Sequence, residues 1–143
     1  MRVLKLLSLS IIGGLFLESC ALLAAYALIQ TVRDINNMLD TANSSITRIG
    51  RILDEGKEIE KAADDGNLLT ALAEEIPALV RDQVEQPIRE EVGKLATNLK
   101  ETSTALTKML LCEDIVGSKN AYANVIRSYN DLVDFANSYN ETY

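Results

Sequence analysis

Apolar residues recur at Leu28, Val32, Ile35, Leu39, Ala42, Ile46, Ile49 and Leu53, with spacings that alternate between four and three. That rhythm is a heptad seam, the mark of a helix that lays one stripe against a neighbouring helix. Between the seam positions lie Asn36, Asn37, Asp40, Asn43, Ser44 and Arg48, a polar outer face. The spacing predicts a coiled-coil-like stalk helix over 30–63. A lone helix cannot bury its own stripe, so the seam must pack on other helices of this chain or on another chain.

The rhythm fails at Gly56, and Asp64-Asp65-Gly66-Asn67 reads as a turn in which Asn67 caps the next helix. Leu72, Ile76, Val80, Val84, Ile88 and Val92 follow at intervals of four. Four residues overshoot a helical turn by about 40°, so this stripe winds around its helix. With Pro77 and Pro87 inside it, the segment is expected as kinked pieces over 68–86 bent around a neighbour, Pro87 opening a new helix. Heptad spacing resumes through Leu95, Leu99, Thr102, Leu106 and Met109 and predicts a helix over 87–112. Gly117 and Ser118 then suggest a stop and a cap before a last helix over 118–141. That helix carries Tyr122, Tyr129 and Tyr139. A tyrosine face of this kind reads either as a docking stripe or as a core edge with its hydroxyls turned outward.

Upstream of the seam, the stretch 6–29 carries a single charge, Glu18. As a helix it would reach about 36 Å, enough for a hydrocarbon core of about 30 Å. The direct expectation is a transmembrane signal anchor behind a short basic flank, 1–5, in which Arg2 and Lys5 favour an N-terminus inside and an extracytoplasmic body. Glu18 would then mark an intramembrane contact with a partner or a second copy, because a charge near the bilayer centre needs compensation. Two readings compete with the anchor. Leu17-Glu18-Ser19-Cys20 resembles a bacterial lipobox that would lipidate Cys20, and Ala25-Tyr26-Ala27 satisfies the small-x-small rule of a cleaved signal.

Composition narrows the chemistry. Two Pro and seven Gly in 143 residues, with 5% aromatics and no Trp, favour helices over sheets. From Gln30 to Tyr143, 12 Lys or Arg stand against 20 Asp or Glu, so the body is acidic and nucleic acid is not an expected partner. The chain has no His, which removes zincin motifs, histidine triads and Glu-x-x-His di-iron pairs. Adjacent acids such as Glu74-Glu75 point about 100° apart on a helix, a poor geometry for shared acid/base or metal work. Cys20 and Cys112 form no metal-ligand spacing.

The fold class expected is therefore all-α: a transmembrane helix continuing into a heptad stalk, followed by a small helical bundle over 64–143. The function expected is that of a membrane-anchored structural or accessory subunit. It would associate through the seam with itself or with another membrane or helical subunit, in contact with the lipid bilayer, without cofactor, metal or catalysis. An extracytoplasmic sensory relay is the alternative, as is a lipoprotein held by Cys20.

Overall fold

Between Ile29 and Glu55 the only proline or glycine is Gly50, and nothing in that stretch stops a helix once it has begun. A computed structural model describes the backbone of residues 2–80 and 84–140, and side chains at Tyr26, 29–80 and 84–138. In it, α1 runs unbroken over Arg2–Glu55. Gly56, at φ +65°, closes the helix in the left-handed conformation that glycine adopts without cost. A 3-10 turn, Ile59–Ala62, then leads into α2, Ala63–Leu79. Two further helices, α3 (Gln86–Leu111) and α4 (Ile115–Asn140), complete the chain.

Helix ends are decided by local chemistry that hydrophobic spacing does not report. The first helix stops at Glu55 rather than near Ala63, because Gly56 and then Glu58, at φ 50°, turn left-handed. Asp64 and Asp65 lie in the first turn of α2, where a helix dipole favours negative charge, and Asn67 falls inside the helix rather than at its cap. Pro77 sits in the last turn of α2, and Val80 is already extended, so 68–79 belongs to one helix that then gives way to a connection, instead of kinked pieces bent around a neighbour. Pro87 does occupy the first turn of α3, where its missing N–H costs nothing. Before α4, Glu113 turns left-handed at φ 56° and Asp114 accepts the Gly117 amide on Oδ1 at 2.8 Å. Asp114 is thus the cap, and Gly117 and Ser118 are inside the helix.

The four helices form a ring. Each packs on its chain neighbours, and α4 closes the ring against α1. The seam faces inward: Ile35, Leu39, Ala42, Ile46, Ile49 and Leu53 are all buried, and Val32 is half-buried. Leu69, Ala73, Ile76, Leu99, Leu106, Leu110, Val125 and Leu132 meet them in one core. Small residues bring α2 and α3 together, for a Cβ added to Gly66 would collide with the Thr107 hydroxyl. Lys100 also reaches Glu74 across this pair at 2.9 Å, and Arg48 of α1 binds Asp65 of α2.

One sequence expectation needs correcting. Among the described residues no helix is long and apolar enough to cross a membrane, so the single-pass membrane placement is not upheld. From Ile29 onward α1 carries Arg33, Asp34, Asp40, Arg48, Arg51 and Asp54, which no hydrocarbon core would accept. Glu18, Cys20 and Leu28 lie outside the described side chains.

Two tyrosines fix how α4 lies on α1. Tyr122 Oη donates to the Ile46 carbonyl at 3.0 Å and Tyr129 Oη to the Leu39 carbonyl at 3.2 Å. Both pairs step by one heptad, so the helices run antiparallel in a single register. Gly50 makes the first contact sterically feasible, since a Cβ there would meet Tyr122 Oη. Gly50→Ala should gain about 1 kcal/mol of helix propensity yet lose about 1–3 kcal/mol to overpacking, a net loss in the native background. Tyr122→Phe alone should cost about 0.5–1.5 kcal/mol for the lost hydrogen bond. In the Phe background the nearest ring atom is 3.1 Å from the added Cβ, and Gly50→Ala should become close to neutral. Urea unfolding of the four proteins measures the coupling; equal effects of Gly50→Ala in both backgrounds would refute a hydroxyl-set approach.

Candidate functional site

No group of three or more His, Cys, Asp or Glu among the described residues could hold a metal ion. The paired acids stand instead on solvated faces or in ion pairs such as Lys100 with Glu74 at 2.9 Å. Association surfaces remain, and they differ from those expected. Seven of the eight seam positions have described side chains; six of them lie in the chain's own core, and the seventh, Val32, is half-buried. The stripe that suggested self-association is covered by α2 and α4. Tyr122 and Tyr129 likewise direct their hydroxyls to α1, while Tyr139 lies outside the described side chains.

The feature that is left open lies at the end of the bundle where α1 leaves it. Gly66 opposite Thr107 and Glu74 opposite Lys100 set the register of α2 on α3. In that register Leu79, the last residue of α2, comes level with α3 about two turns after its start. The first turns of α3 therefore face no α2. The space is a cleft bounded by Val32 and Ile35 of α1, Val80 and Val84 of the connection, Ile88 and Val92 of α3, and Phe135 and Ala136 of α4. Thr31 at its edge donates to the Leu79 carbonyl at 3.4 Å and is the one polar side chain in the lining.

Its dimensions decide what it can accept. The enclosed space is about 40 Å³, well under the roughly 150 Å³ that takes up a benzene in an engineered apolar cavity. That volume is too small to enclose a benzene-sized molecule, and an apolar wall offers a water no partners. What fits is the aliphatic tip of a side chain entering from outside. Above the cleft, Ile29 is 59% exposed and Tyr26 is 67% exposed. They stand three residues apart, with Ile29 one turn before Val32, so apolar surface continues from the cleft up the projecting helix.

Sequence periodicity contained part of this site. The four-residue stripe through Val80, Val84, Ile88 and Val92 is its floor, but reading the part over 68–86 as kinked helical pieces hid the gap that opens where α2 stops at Leu79. Ala136 falls on the four-three apolar rhythm of the last helix through Tyr122, Ile126, Tyr129 and Val133, whereas Phe135 gave no signal of its own. No protein-family model matches the chain, and no curated protein or solved structure matches it either.

The electrostatics of the tyrosine contacts make a measurable difference at high pH. Burial raises the Tyr122 phenol above its ordinary value, and Asp54 adds to the effect. Burial followed by Asp40 does the same for Tyr129. The folded chain thus holds these protons more tightly than the unfolded one, so their contribution is complete below the ordinary tyrosine value of 10.0 and is lost as pH rises past it. Urea midpoints should be level from neutral pH upward and fall above 10.0, more steeply in the native chain than in a Tyr122→Phe, Tyr129→Phe variant. Identical alkaline slopes would show that the two phenols are not linked to folding.

Proposed function

We propose that this chain is a structural or accessory protein that works by association: its bundle receives a helix of a partner protein at the open end, beside the projecting α1. The observation that carries this reading is the cleft left where α2 stops short. Three helices and a connection surround a site at which a fourth helix would complete the ring. A partner helix with aliphatic residues three and four apart could seat one in the cleft and lay the next along Ile29 and Tyr26. This is the helix-in-groove mode of recognition, in which spaced apolar anchors supply the affinity. The absence of His from the chain and of a metal-holding group among the described residues supports association over catalysis.

Self-association through the seam is the weaker form of the idea, because its side chains from Ile35 to Leu53 are already buried in the chain's own core. A photo-crosslinking amino acid at position 29 in the native host tests the stronger form. A discrete adduct, heavier than the monomer and lost when Ala136→Glu places a charge in the cleft, is expected. Thermal melting of the Ala136→Glu protein confirms that the bundle persists. Absence of any adduct, or an adduct indifferent to Ala136→Glu, would count against partner binding at this end.

A further inference from the structure

We propose that the α3–α4 corner, at the other end of the bundle, is a self-association surface on which a second copy of this chain docks. Leu111 is 62% exposed and Val116 is 72% exposed, with Ile115 at 40% between them in sequence. Cys112 is exposed and free beside them. The corner is apolar because the left-handed turn at Glu113 separates two helix ends whose inward residues are already in place. Leu110 is wholly buried, and the next residue points about 100° away from it. Leu111 and Val116 consequently face water with nothing among the described residues to cover them.

Charge identifies the occupant. The body carries 20 acids against 12 bases over 30–143, so two copies repel each other over most of their surface. At this corner the balance is even: Lys108 and Lys119 stand with Glu113 and Asp114, all exposed. Lys108 shares a helix face with Leu111 and Cys112, and Lys119 shares one with Ile115 and Val116. A twofold axis through the apolar residues sets each copy's lysines toward the other copy's acids, the self-complementary arrangement an isologous contact requires. The adjoining end of α1 and the 3-10 turn add Arg51, Lys57 and Lys61 among Asp54, Glu55, Glu58 and Glu60, a mixed rim.

Three half-open side chains expose a few hundred Å², short of the roughly 800 Å² per partner of a stable dimer. The association is therefore weak and concentration-dependent, which keeps it separate from the cleft: position 135 lies about 28 Å along α4 from position 116.

Cys112 is a built-in reporter. In a Cys20→Ser background of the full chain, a short bismaleimide should capture a dimer through Cys112 in a yield that rises with protein concentration. Leu111→Glu with Val116→Glu should lower that yield at least tenfold while leaving the melting temperature unchanged, since both side chains are exposed. Sedimentation velocity of the Cys112→Ser protein should show the same concentration-dependent dimer without the thiol. A monomer at every concentration, or crosslinking that Leu111→Glu with Val116→Glu does not reduce, would overturn the proposal. Ala136→Glu, which addresses the cleft, should leave this dimer intact, so failure of one surface does not decide the other.

Discussion

An apolar stripe that runs unbroken along seven turns of a helix has to be covered, and covering it dictates the arrangement of everything else in this chain. The stripe on α1 is longer than α2, so α2 alone cannot protect it. The remainder falls to α4, which lies antiparallel on α1 and donates its Tyr122 and Tyr129 hydroxyls to the Ile46 and Leu39 carbonyls. Those bonds add less energy than the burial around them. Their contribution is direction: apolar contacts alone would tolerate sliding, whereas two hydroxyls one heptad apart accept a single register.

The same geometry leaves the chain's unfilled surface. With α1 held to α4 at Leu39 and Ile46 and α3 held to α2 by Gly66, Thr107, Glu74 and Lys100, the early stop of α2 at Leu79 cannot be repaired by sliding any helix. The connection through Val80 and Val84 fills part of the space. What is left is an apolar cleft next to a helix that continues past the bundle, the place where the proposed partner helix would add contacts that the described residues do not supply.

Much of the architecture was legible from apolar periodicity, since Ile35 through Leu53 and Val92, Leu95, Leu99 and Leu106 fall in the core where a heptad reading puts them, Thr102 giving way to the buried Ser103. Periodicity cannot say which molecule covers a stripe, so the seam of α1 read equally well as a stalk awaiting a second copy. Helix ends were less legible, because they hang on single residues: Gly56 and Glu113 in left-handed conformation and Asp114 holding an amide. Neither site was visible as such. The cleft exists because of where one helix stops relative to another, and the exposed corner because Leu111 and Val116 face away from a core that adjacent residues enter.

Amide hydrogen exchange across residues 35–53 tests most directly whether α1's seam is satisfied within the chain. Protection that reaches the global unfolding free energy, stays constant on hundredfold dilution and weakens in Tyr122→Phe, Tyr129→Phe is the predicted result. Protection that disappears on dilution would mean that a second chain, not α4, covers the stripe, and the account would be wrong at its foundation.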